Sequence, residues 1–130
     1  MNTLRLIAIL LLIFNATGAL FGGWSLIQDP TGSDLKLPLT YLEHSPFKDF
    51  FIPGLILFIV NGVFSVITIF WTGLQRRQYP WLIIIQGGIL TSWIIAQMIM
   101  IREINYLHFI YGGLGLSLLW IGFALKNKSL

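Results

Sequence analysis

The stretch that decides the fold is WLIIIQGGILTSWIIAQMIMIREINYLHFIYGGLGLSLLWIGFAL, residues 81–125, where Arg102 and Glu103 are the only charged residues. The tract is 45 residues long, and one helix needs only about 20 residues to cross a bilayer. The chain must therefore turn back inside it, and the REIN segment, residues 102–105, is the place that keeps both charges at the interface. An ion pair inside the membrane would cost several kcal/mol and leave no turn.

The composition of the whole chain is that of a membrane protein. Of its 130 residues, 56% are hydrophobic and 10% are charged, whereas soluble domains contain about 25% charged residues. The mean hydropathy is +0.82. Four apolar runs are continuous rather than alternating, and in lipid such runs satisfy their backbone groups as helices. We predict an all-α integral membrane bundle of four transmembrane helices in a single domain, with spans of about 6–23, 51–74, 81–101 and 106–125.

The distribution of lysine and arginine predicts the orientation. With the N-terminus inside, the inner segments contain five of the eight basic residues, and the positive-inside rule then places both termini in the cytoplasm. The net charge of +3 requires no nucleic-acid partner, because basic residues at span ends face lipid head groups. The five inner basic residues are Arg5, Arg76, Arg77, Lys126 and Lys128.

Residues 24–50 form the longest connection and are predicted to be a structured outer loop between the first two helices. DPTGSD, residues 29–34, is a turn signal. The following LPLTYLEHSPF suits a short amphipathic helix on the membrane surface. An alternative for residues 1–23 is a signal peptide with Arg5 in its n-region and cleavage near NATGA. Against this alternative, the apolar stretch is long for a signal peptide.

Small and polar residues inside the spans indicate which faces pack together, because helix association in lipid relies on close contact and hydrogen bonds. Asn15 and Asn61 are both about 14 Å deep at 1.5 Å per residue, so we expect them to be close in the core, either as a packing contact or as a polar pocket for a head group or ion. In the third span Gly88, Ser92 and Ala96 share one side. The polar and packing residues predicted for the bundle are Asn15, Asn61, Ser65, Thr68, Gln97, Gly113 and Ser117.

A set of polar residues on the predicted outer face contains the side-chain types of an acid–base or zinc site. No short metal-binding spacing such as H-E-x-x-H is present, and an arginine in the set would repel a cation. We therefore predict no metal, no cofactor and no catalytic residue, and treat the set as the first place to look for a ligand site. Its members are Glu43, His44, Asp49, Arg102, Glu103 and His108. The absence of cysteine excludes thiolate, disulfide and iron–sulfur chemistry.

The segments DPTGSDLKLPLTYLEHSPFKDFFIPGLILFIVNGV, TSWIIAQMIMI and LHFIYGGLGL resemble a group of small bacterial membrane proteins of unknown function. In that group a Pro–Gly turn, an SPF-x-D-F segment and an IPG opening the second helix occur in this order. The similarity covers about residues 24–125, and SPFKDFFIPGL is its most specific part. It implies a four-helix protein of the bacterial cytoplasmic (inner) membrane, and it assigns no activity, substrate or catalytic residue.

These features predict a non-enzymatic membrane module that binds a lipid-like ligand or a partner membrane protein. The alternative is a small membrane enzyme or transporter that uses the outer-face polar set. Self-assembly through a face containing Gly113 and Ser117 is compatible with either function.

Overall fold

The computed structural model describes residues 3–32, 48–101 and 106–129. These ranges contain four helices and no strand, which confirms the predicted all-α fold. Within the 45-residue tract, one helix ends at Ile101 and the next begins at Tyr106. The helices are α1 (Thr3–Gln28), α2 (Phe51–Gly73), α3 (Tyr79–Ile101) and α4 (Tyr106–Ser129).

All four helices are long and apolar enough to cross a membrane. Large apolar side chains cover the outside of the bundle, where Phe21, Phe70 and Phe109 are 69%, 64% and 71% exposed. A surface of this kind is unfavourable in water and favourable in lipid. The chain is therefore a multi-pass integral membrane protein.

The connections between helices fix their antiparallel arrangement where they are described. Residues 74–78 link α2 to α3, and Gln75 and Gln78 have positive φ angles of 51° and 63° in this short turn. The indole Nε1 of Trp71 donates to the backbone oxygen of Arg77 at 3.3 Å and ties the turn to the end of α2. Because this link is so short, α3 runs antiparallel to α2.

The chain after α1 contains the predicted DPTG turn. The Asp29 carboxylate accepts from the Thr31 hydroxyl at 2.6 Å and from the Thr31 backbone N–H at 3.3 Å. Gly32 has a φ of 78°, a conformation that favours glycine. The first helix extends to Gln28, beyond the predicted end of the first span. The predicted surface helix of the outer loop falls in residues 33–47, outside the described residues.

The bundle consists of two helical hairpins, α1–α2 and α3–α4, and the contacts within each hairpin are more extensive than those between the hairpins. Glycines allow the close approach in each hairpin. A methyl group at Gly23 would lie 2.7 Å from the Phe58 backbone nitrogen, and one at Gly87 would lie 2.8 Å from that of Leu119. The apolar core joins the hairpins through Ala8, Leu12, Ile83, Leu90, Ile94, Leu114, Leu118, Ile121 and Leu125.

The second helix contributes no large apolar side chain to this fully buried core. Its buried positions are instead proline, glycine and small polar residues. Residues Leu57–Val63 form a π-helical segment, in which the Phe64 N–H donates to the Ile59 carbonyl five residues earlier. Such segments widen the helix locally and are frequent at functional sites. The buried residues of α2 are Pro53, Gly54, Asn61, Gly62, Ser65, Thr68 and Thr72.

Candidate functional site

The polar stripe of α2 faces the interior of the bundle. Asn61, Ser65, Thr68 and Thr72 are each 0% exposed. The Thr68 hydroxyl donates to its own helix, at the Phe64 carbonyl, with a distance of 2.9 Å. The other members of the stripe are therefore the ones available to bond to neighbouring helices or ligands.

Two hydrogen bonds connect this stripe to other helices. The amide Nδ2 of Asn15 in α1 donates to the Ser65 hydroxyl at 2.9 Å. The amide Nε2 of Gln86 in α3 donates to Oδ1 of Asn61 at 3.3 Å. Asn15 and Asn61 thus take part in two separate hydrogen bonds, and the Asn15 partner is one helical turn from Asn61.

The Asn61–Gln86 pair is only half satisfied. Nδ2 of Asn61 and Oε1 of Gln86 are buried and have no hydrogen-bond partner. Each such buried polar atom costs about 1–3 kcal/mol relative to a bonded one. Asn61 lies ten residues from the start of α2 at Phe51, which is about 15 Å and therefore near the middle of a bilayer. The chain thus holds an unpaired hydrogen-bond donor at mid-membrane depth.

An open groove of about 450 Å³ lies between α2 and α3, and Asn61 is part of its wall. The groove exists because α3 packs more closely against residues Phe64–Gly73 of α2 than against the π-helical segment. The facing side of α3 also leaves open space, since a methyl group at Gly88 would meet no atom within 4 Å. The lining residues are Ile56, Val60, Asn61, Gly88, Ile89, Ser92, Trp93 and Ala96.

The side of α3 that contains Gly88, Ser92 and Ala96 therefore has a different role from the one its sequence predicts. Small residues at every fourth position indicate close helix packing. In the structure these three residues line the groove, and Ser92 is exposed. The neighbouring Gly87 makes the close contact with α4.

The predicted outer-face set is only partly described. Glu43, His44, Arg102 and Glu103 lie outside the described residues. Of the remaining two members, Asp49 is exposed and accepts a hydrogen bond from the Phe51 backbone N–H at 3.1 Å, and His108 is buried near the start of α4. Within residues 3–32, 48–101 and 106–129, no group of three or more histidine or acidic side chains has metal-binding geometry.

The remaining predicted packing residues lie at the edge of the bundle or on its outer surface. Gln97 is half-buried in α3, whereas Gly113 and Ser117 are exposed on α4. A methyl group at Gly113 would meet no atom within 4 Å. The face that contains Gly113 and Ser117 is therefore open to lipid in the single chain, and self-assembly through it stays a prediction.

Sequence reasoning did not identify Gln86 as the partner of Asn61. The signal for it was the residue type itself, because a glutamine in an apolar span must find a hydrogen-bonding partner. Comparison with known proteins adds no candidate, since the chain matches no family model, no curated protein and no solved structure. The resemblance to small bacterial membrane proteins stays a prediction based on the loop motif.

Proposed function

We propose that this protein is a non-enzymatic membrane module that binds a lipid-like molecule in the groove between α2 and α3. The ligand combines a hydrocarbon part with a carbonyl or hydroxyl oxygen that accepts a hydrogen bond from Nδ2 of Asn61. The observation that supports this proposal is the buried Asn61 side chain in the wall of an open groove, with an Nδ2 that has no hydrogen-bond partner.

The groove suits a ligand that arrives through the bilayer. Its volume of about 450 Å³ is within the range of about 300–1,000 Å³ typical of small-molecule sites. Ile56, Val60 and Ile89 provide apolar walls, and Asn61 and Ser92 provide the polar points. None of the lining residues is ionisable, so the site favours binding by packing and neutral hydrogen bonds over proton transfer.

Filling the groove tests this proposal. Gly88→Leu places a large apolar side chain where the structure has open space. We expect the fraction of protein that retains its ligand to fall about tenfold, which corresponds to about 1.4 kcal/mol of lost affinity. The measurement is native mass spectrometry of the full chain released from a mild detergent.

The matched control is Gly113→Leu, because Gly113 also has open space around it but lies on the outside of α4. It adds the same side chain to a membrane helix without touching the groove, and its ligand retention should equal that of the wild type. A wild-type protein that carries no small molecule contradicts the proposal. Retention of a protein subunit instead of a small molecule would assign the groove to a partner membrane protein.

We further propose that the protein lies in the bacterial inner membrane with both termini in the cytoplasm. The support is the concentration of basic residues where α2 ends and α3 begins, together with the resemblance described above. The chain has no cysteine, so single cysteines report topology directly. Thr31→Cys should react with a membrane-impermeant maleimide on intact cells, whereas Gln75→Cys should react only after lysis. The reverse labelling pattern would show that both termini lie on the outer side of the membrane.

A further inference from the structure

Basic residues are concentrated at one end of the bundle. Helices α1 and α3 begin at this end, and neither has an acidic residue in its first turn. Helices α2 and α4 end there. The described acidic residues, Asp29 and Asp49, follow α1 and precede α2, so both lie at the opposite end. The described basic residues of this end, which we call the basic end, are Arg5, Arg76, Arg77, Lys126 and Lys128.

Arg5 differs from the other cations of the basic end. It is only 8% exposed, and its Nε has no hydrogen-bond partner. Lys126 places its Nζ 4.6 Å from the centre of the Trp81 ring, and Arg76 and Arg77 are exposed. A buried guanidinium nitrogen without a hydrogen-bond partner is unfavourable. Among the described residues, Arg5 is thus the cation that most needs a counter-ion.

A second buried polar atom without a partner lies at nearly the same height. Oγ1 of Thr72, in the last turn of α2, is fully buried and unpaired. The Asn15–Ser65 hydrogen bond sets the level of the two helices, with Arg5 ten residues before Asn15 and Thr72 seven after Ser65. At 1.5 Å per residue the two differ in height by about 5 Å.

We propose that Arg5 is the centre of a binding site for a phosphate group at the basic end. A guanidinium presents a planar set of N–H donors that fits phosphate oxygens. The N-termini of α1 and α3 add partial positive charge at the same end. The side chain of a helical residue leans toward the helix N-terminus, so Arg5 leans toward the membrane surface, where lipid phosphates lie. The phosphate belongs either to an anionic lipid head group or to a free phosphate compound.

The test compares lipid binding by the full chain in detergent, measured by native mass spectrometry during titration with phosphatidylglycerol or phosphatidylcholine. We expect the wild type to prefer phosphatidylglycerol. Arg5→Gln should weaken phosphatidylglycerol binding about five- to tenfold, as loss of one basic contact predicts. The matched control is Arg77→Gln, which removes an exposed charge from the same end and should change the affinity less than about twofold.

A parallel titration with inorganic phosphate distinguishes the two sources. If inorganic phosphate displaces phosphatidylglycerol, the site takes free phosphate compounds, and if it does not, the site takes a lipid head group. Equal phosphatidylglycerol affinity in the wild type and Arg5→Gln overturns the proposal.

Two further variants keep the test decisive if Arg5→Gln fails to fold or if an added side chain alone changes lipid binding. If Arg5→Gln does not fold, Arg5→Lys keeps the charge but removes the planar donor set. Its affinity should fall about two- to threefold, and wild-type affinity in this variant also overturns the proposal. Gly113→Leu should leave phosphatidylglycerol affinity unchanged, because Gly113 is exposed on the outside of α4 and lies in neither site.

Discussion

Gly87→Ala is expected to destabilise the protein by about 2 kcal/mol, whereas Gly88→Ala should leave it as stable as the wild type or slightly more stable. A methyl group at Gly87 would lie 2.8 Å from the Leu119 backbone nitrogen and 2.9 Å from the Gly115 carbonyl oxygen. Backbone atoms of a packed helix cannot move aside individually, so α3 and α4 would have to separate. At Gly88 the same methyl group meets no atom within 4 Å.

The measurement is the free energy of unfolding in detergent, obtained from helical circular dichroism during denaturant titration. Gly113→Ala is a second control, since this glycine lies on the other helix of the pair and also faces open space. Equal stability of Gly87→Ala and Gly88→Ala would show that the α3–α4 contact is looser than the structure has it. Loss of stability in all three variants would point to backbone conformation instead of helix contact.

This pair of glycines shows how far the sequence determines the fold. Four spans follow from hydropathy alone, because any continuous apolar run of about 20 residues has few alternatives in lipid. The choice between Gly87 and Gly88 as the contact does not follow from hydropathy. Gly88 has Ser92 and Ala96 at the next two positions of a four-residue repeat, so the pattern favoured Gly88. The position of α4 decides which of the two glycines makes the contact, and no local pattern in α3 encodes that position.

The candidate site was predictable to a similar extent. Asn61, Ser65, Thr68 and Thr72 are spaced at i, i+4, i+7 and i+11, which places them on one face of a helix, and all four are fully buried. The residue type of Gln86 indicates that it needs a hydrogen-bonding partner, but Asn61 was not predictable as that partner, because the π-helical segment Leu57–Val63 changes the register of α2 at this level. In ideal helices Asn15 would lie level with Asn61, but in the structure it bonds to Ser65, one helical turn further along α2.

The second large effect is expected at the Asn61–Gln86 pair. Asn61→Leu and Gln86→Met preserve side-chain shape, but each leaves the remaining amide without its hydrogen bond. Each single substitution should cost about 1–2 kcal/mol. The double variant removes both half-satisfied amides together, so its loss should be smaller than the sum of the single losses by about 1 kcal/mol. Denaturant unfolding of the four proteins in one detergent measures this coupling, and strictly additive losses would argue against a direct bond.

The same double variant separates a structural role of the amide pair from a functional one. If the pair only holds α2 against α3, a double variant of near wild-type stability should keep its ligand. If Asn61 donates a hydrogen bond to the ligand, ligand retention in the double variant should fall about fivefold, because one such bond contributes about 1 kcal/mol. Thr68→Val is the matched control, because it removes a buried hydroxyl of the same stripe that bonds to its own helix and does not line the groove. A stable protein that loses its ligand only with Asn61 would show that the unpaired amide is kept for binding at the expense of stability.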